Sequence, residues 1–259
     1  MISHIDRDAL WQLVGRSMAA SASRAPGLVT RFAPGAWRVT SDVDSWTANW
    51  IVCHGSDEAS RNLFRAALDE AVASGLNTSV VVAENVRAEI VPLFDGLPMT
   101  LDGEPPMMCQ EATPLQRNPR PYRGQVTRLS AADDLAPALD LAARAFELDP
   151  GVTRLAWAGV LDDPRMRLFT ASSDALDSVC LAYAEGSVTY IYLMATDPDR
   201  QRRGAGRAVL TRVMDEATRE GTGVLYLMAS SAGQPLYRAL GYETYELAEF
   251  WEVHPKSGE

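Results

Sequence analysis

One segment constrains this chain more than any other. The apolar, β-rich run Thr189-Tyr190-Ile191-Tyr192-Leu193-Met194-Ala195-Thr196 ends at Asp197-Pro198, and the loop Asp199-Arg200-Gln201-Arg202-Arg203-Gly204-Ala205-Gly206-Arg207 follows it. Directly after, Val209, Leu210, Val213, Met214 and Ala217 recur at helical spacing. Strand, glycine loop and helix N-terminus in that order build an anion cradle, because the first N–H groups of a helix have no partner inside it. Gly204 and Gly206 let a ligand approach the backbone with no Cβ in the way. Arg202, Arg203 and Arg207 concentrate positive charge in a chain whose net charge is −10. This chemistry suits a phosphate-bearing ligand.

The loop itself excludes two phosphate binders. No Lys-Ser or Lys-Thr follows the glycines, as a P-loop requires. The dinucleotide pattern G-x-G-x-x-G fails at Val209, and no acidic residue closes the next strand to take a ribose. What remains, Gln201-Arg202-Arg203-Gly204-Ala205-Gly206, matches the Q/R-x-x-G-x-G/A loop of the GNAT acyltransferases. Further on, Gly221 and Gly223 stop the helix, Val224–Ala229 reads as a buried strand, and Leu236-Tyr237-Arg238-Ala239-Leu240-Gly241-Tyr242 resembles the family's last helix and turn. From Gly124 onward the chain therefore resembles a GNAT acyl-CoA N-acyltransferase, an α/β fold with a mixed sheet.

The resemblance implies a site. Acetyl-CoA is expected between the splayed parallel strands Ile191–Thr196 and Val224–Ala229. Its pyrophosphate would lie on Gln201, Arg202, Arg203, Gly204, Ala205, Gly206 and Arg207, its pantetheine along Met194, Ala195 and Thr196, with Ser231 nearby. An amine of a small molecule or peptide would attack the thioester directly. Tyr237 is the expected general acid, provided the site lowers its pKa modestly from about 10. Many relatives carry Glu where this chain has Tyr192, so the base is left among Glu147, Asp149, Glu185 and a water chain. Phe146, Trp157, Tyr190 and Tyr192 are the expected acceptor contacts. A catalytically silent CoA-binding sensor or interaction module is the competing function, and transfer of a longer acyl group is a third.

Composition bounds the partners. An acidic balance with pI ≈ 4.9 argues against nucleic-acid or anionic-membrane binding. No run approaches the ~20 apolar residues of a membrane span, and Met1–Asp8 lacks signal character, so a cytoplasmic protein is expected. Cys53, Cys109 and Cys180 are isolated, and His4, His54 and His254 are scattered, so neither a disulfide framework nor a metal is expected. A homodimer is compatible with all of this.

The first half reads as a worn copy of the second. Asp69-Glu70-Ala71 and Gly75 match Asp215-Glu216-Ala217 and Gly221 at a constant offset of 146 positions, which also lays Val80–Ala83 on Tyr226–Ala229. At that offset Asp57, Glu58 and Ser60 stand where Arg203, Gly204 and Gly206 are, and Val91 where Tyr237 is. Residues 1–112 are thus expected to be a degenerate, truncated, non-catalytic GNAT-like module whose opening elements would precede Met1. The Pro-rich stretch 113–123 is the expected linker, and residues 124–259 the catalytic module. Trp37, Trp46 and Trp50 could wall the acceptor pocket, with core packing the competing role. Ser130 is expected to cap the first helix of the second module, with Asp133 three residues on.

Overall fold

The computed structural model describes residues 6–112, 122–130 and 133–254. The predicted linker 113–123 lies outside them except for Tyr122 and Arg123.

The first half runs α1 (Arg7–Ser21), β1 (Val29–Ala33), β2 (Ala36–Thr40), β3 (Trp50–Cys53), α2 (Glu58–Ser74), β4 (Thr78–Ala83), α3 (Arg87–Ile90), β5 (Met99–Gly103) and β6 (Pro106–Glu111). The second runs β7 (Gln125–Arg128), α4 (Ala136–Ala145), α5 (Pro150–Ala156), β8 (Met166–Ser172), β9 (Leu176–Glu185) and β10 (Val188–Thr196). It closes with α6 (Ala205–Arg219), β11 (Val224–Met228), α7 (Gln234–Ala239) and β12 (Glu243–Val253). Local chemistry accounts for the boundaries. Strand β4 is buried along its whole length, and its apolar run Val80–Ala83 has no polar alternation, as suits a strand covered on both faces. Gly75 (φ 67°) and Gly221 (φ 80°) take the left-handed conformation just past α2 and α6, where a side chain would be strained.

All twelve strands join one mixed sheet in the order β1-β2-β3-β4-β12-β6-β11-β10-β9-β8-β7, with β5 also on β12. Each half supplies a parallel strand–helix–strand unit, β3-α2-β4 and β10-α6-β11. The 146-position offset aligns the helices and second strands but not the first strands. Trp50 opposes Ser79 as Thr189 opposes Leu225, so Trp50 corresponds to Thr189, 139 positions on. The connection into α2 is therefore seven residues shorter than the cradle loop of the second half.

The halves are tied by exchanged strands. Strand β6, from the first half, inserts between β11 and β12 and pairs antiparallel with both. Strand β12, from the second half, continues past it to pair with β4 and β5. Along one edge of β12, Phe250 opposes Gly103 and Leu247 opposes Pro106, so β5 and β6 form a single line broken by a kink at Asp102–Pro105. Helix α1 lies over the second half's sheet, where Arg16 pairs with Glu185 at 2.6 Å.

Ser130 does not cap a helix. Its N–H and hydroxyl donate to Asp133 Oδ2 at 2.6 and 2.9 Å, closing a turn, while α4 starts only at Ala136, whose N–H is taken by Asp134. Pro137, in the first turn of α4, fixes that later start. The second helix of this half is short and ends at Ala156, with Pro150 in its first turn and Asp149 as its cap.

Candidate active site

The site starts at a break in the central pairing. Strands β10 and β11 pair in parallel from Val188–Val224 to Ile191–Leu227 and no further. Beyond Ile191, β10 carries a bulge against β9 between Tyr192 and Ala195, with Leu193 at φ 51°. A left-handed Leu costs about 1–2 kcal/mol, so the sheet enforces this turn. It separates the strand ends and leaves Met194–Thr196 with no partner on the β11 side.

Below that gap is the cradle. Arg202 (φ 61°) and Gly204 (φ 88°) are both left-handed, and a Cβ on Gly204 would meet nothing within 4 Å. A Cβ on Gly206 would come within 3.0 Å of Met194 and Thr196. Of the backbone amides here, that of Ala208 bonds Gly204 O at 2.9 Å, while those from Gln201 to Arg207 have no protein acceptor among the described residues. Seven consecutive unpaired donors at a helix N-terminus, six of them on residues that line a cavity of about 380 Å³, fit a diphosphate. Gln201, Arg202, Gly204, Ala205, Gly206 and Arg207 line that cavity, together with Met194, Ala195 and Thr196. Arg203 does not. Its guanidinium reaches back to Asp199 O at 3.4 Å.

The equivalent helix end of the first half is filled by its own side chains. Asp57 accepts the Ser60 N–H at 3.0 Å and also the Ser60 hydroxyl, and that hydroxyl in turn accepts the Gly35 N–H at 2.7 Å. Asp57 occupies the place an anion would take, and those contacts hold its carboxyl below the usual range.

A second cavity, of about 470 Å³, opens on the other side of the strand gap. The two share Phe146, Met194, Ser230 and Tyr237. Tyr237 therefore stands at their junction, 6% exposed, with no hydrogen-bond partner for its hydroxyl among the described residues. Burial, reinforced by Cys180 and Tyr190 nearby, pushes its phenol above the ordinary range; the expected lowering is not what the free protein provides. Trp157, Tyr190, Tyr192 and Ser231 line only this second cavity. The Tyr192 hydroxyl points away from chemistry, donating to Ser21 Oγ at 2.8 Å.

None of the three carboxylates considered as bases lines either cavity. Asp149 caps α5, Glu185 pairs with Arg16 and Arg165, and Glu147 lies in the turn after α4. The carboxylates present are Asp102 and Glu104, in the β5–β6 kink of the first half. Met18, Thr47, Trp50 and Pro105 join them from that half, and Phe250 comes from β12. Trp50 is thus a wall residue, whereas Trp37 is fully buried and Trp46 packs on His254. No local pattern marked Asp102, because only the long-range pairing of β5 and β6 brings it to the site.

This geometry agrees with the relatives. Residues 135–242 match the profile of the Acetyltransferase (GNAT) family. Over those residues the chain is similar to the GNAT family. The whole chain is similar in fold to a GCN5-related N-acetyltransferase from Kribbella flavida, at TM-score 0.66 and 18% identity over 95% of each chain. It is also similar to a tandem GNAT protein from the clavulanic acid biosynthesis pathway, at TM-score 0.58 and 11% identity, covering 98% of this chain and 97% of that one. Among curated proteins, a [ribosomal protein bS18]-alanine N-acetyltransferase of Escherichia coli (strain K12) is 38% identical over 55 residues. That match spans 20% of this chain and 37% of the relative. Both halves together thus have the GNAT mixed-sheet fold, in an arrangement found in a tandem GNAT neighbour. No helix among the described residues is long and apolar enough to cross a membrane.

Proposed function

We propose that the protein is an acetyl-CoA-dependent N-acetyltransferase acting on a primary amine, with residues 124–259 carrying the chemistry and residues 1–112 walling the acceptor side. The observation that carries this is Tyr237, whose free hydroxyl stands where the cradle cavity meets the second cavity.

In this reading the amides of Gln201–Arg207 and the side chains of Arg202 and Arg207 hold the diphosphate. The unpaired edge at Met194–Thr196 takes the pantetheine amides. Acetyl-CoA, when bound, supplies a thioester whose carbonyl carbon accepts the amine nitrogen as the carbon–sulfur bond breaks. Tyr237 gives its proton to the departing sulfur and is reprotonated by the proton the nitrogen loses. An acceptor arriving as an ammonium has already passed one further proton to solvent, so the products are an amide, a thiol and one released proton. Cys53, Cys109 and Cys180 are all buried and line neither cavity, which favours direct attack over an acyl-enzyme.

Two measurements test the reading on the full chain. Calorimetry should show acetyl-CoA binding, and thiol release should accelerate when primary amines are supplied, including a peptide with N-terminal alanine of the kind the ribosomal relative's name describes. Binding without turnover on any amine would favour a silent CoA sensor. No binding would refute the cradle.

A further inference from the structure

Resting on that reading, we infer that the acceptor is a small primary amine with an apolar, aromatic-sized body, and that Asp102 of the first half docks its positive charge.

Three observations carry this. The wall of the 470 Å³ cavity is chiefly aromatic and thioether surface, with Met18, Trp50, Trp157, Met228 and Phe250 facing one space. A cavity of that size encloses a compact molecule, and rings around it also favour a cation. Tyr190 lines it too. It is 2% exposed, and its hydroxyl has no hydrogen-bond partner among the described residues.

Charge selects the ligand's sign. Asp102 and Glu104 are the acidic groups of the lining, and Glu104 already pairs with Arg87. Asp102 has no cation among the described residues. Its charge is felt locally: after burial, Asp102 is the next cause holding the Glu252 carboxyl above its ordinary range. An ammonium entering the cavity meets this one uncommitted carboxylate, passes its extra proton to solvent while docked there, and attacks the thioester as the neutral amine.

Topology disfavours a peptide. An extended peptide would bind by adding its backbone to a free strand edge at the site. On the side of β11 away from the gap the edge is taken, since the Ala229 N–H donates to Pro106 O at 3.0 Å across the exchanged strand. The edges left free, at Met194–Thr196 and on β11 past Leu227, face each other across the strand gap, which the pantetheine fills in this reading.

The test uses the full-length protein. Thiol release is measured with 2-phenylethylamine, n-hexylamine, an N-terminal-alanine tripeptide, spermidine and an aminoglycoside, and acetyl-CoA affinity is measured separately by calorimetry. The two apolar amines should exceed the others at least tenfold in kcat/KM. Asp102→Asn should raise their KM about tenfold, the loss of one charge-assisted contact, and leave acetyl-CoA affinity unchanged. Asp102→Glu should recover much of the loss. A preference for the tripeptide, spermidine or the aminoglycoside, or an unchanged KM in Asp102→Asn, overturns this inference while leaving the acetyltransferase reading in place. Failure to bind acetyl-CoA overturns both.

Discussion

The Tyr192 hydroxyl donates a 2.8 Å hydrogen bond to Ser21 Oγ, joining the central strand of the second half to the first helix of the first. The contact spans 171 positions of sequence and is buried. The tyrosine hydroxyl is committed to holding α1 over the second cavity, which Met18 of that helix lines.

Tyr192→Phe should accordingly act on stability more than on the cofactor. Ser21 keeps its own donations to Ser17 O and Met18 O, so one bond is lost and no acceptor is stranded. The expected cost is about 1 kcal/mol, or a fall of about 2–4 °C in Tm for a chain of this size. Calorimetric acetyl-CoA affinity should match wild type. A weakened affinity with an unchanged Tm would contradict the assignment.

Gly204 separates strain from charge. At φ 88° any side chain is strained, yet nothing occupies the space a Cβ would enter. Gly204→Ala should lower stability by about 1 kcal/mol and leave acetyl-CoA bound. Gly204→Glu should cost a similar amount of stability but weaken acetyl-CoA by about a hundredfold or more, because a carboxylate then faces the diphosphate. Equal affinities in the two variants would show that the diphosphate lies elsewhere.

The strand–loop–helix geometry of the proposed cradle was legible in sequence because its signals are local. Strand β10, the glycine loop and α6 follow one another, and a left-handed turn at Gly204 is written in a single residue. The acceptor wall was not legible. Asp102, Trp50 and Phe250 meet only because β6 crosses into the second half and β12 into the first, and pairings such as Phe250 with Val81 leave no periodic trace. Arg203 shows the limit even within the motif, since a hydrogen bond to Asp199 O turns it away from the cradle that its position suggests.

His54 should make the first half acid-sensitive. It is fully buried beside Trp11, with Asp8 on Nδ1 at 3.1 Å and Gln12 on Nε2 at 3.3 Å, both from α1. Burial lowers its pKa, and the pull of Asp8 in the opposite direction is weaker because that carboxylate is largely in solvent. A histidine held neutral in the fold contributes stability that is complete above its unfolded value of about 6.5. That contribution is lost as pH falls from there through the lower folded value. Tm should drop between pH 7.5 and pH 5, and His54→Gln should shrink the drop. An identical pH dependence in that variant would mean that other groups carry it.

Tyr237→Phe tests the acid directly. Burial holds the phenol above its usual value of about 10, so in the free protein it is protonated throughout the neutral range and always has a proton to give. The sign is fixed by that direction: no alkaline limb in kcat/KM should come from Tyr237 below about pH 10. The variant should lose about a hundredfold in kcat with acetyl-CoA affinity within about twofold, since general acid catalysis contributes on that scale and the ring still fills the junction of the two cavities. The loss should be smaller for an acyl donor whose leaving thiol is more acidic, because a better leaving group needs less help from a proton. A variant that keeps full kcat with acetyl-CoA would reduce Tyr237 to packing, and a loss independent of leaving-group acidity would assign its hydroxyl to orienting the thioester rather than protonating it.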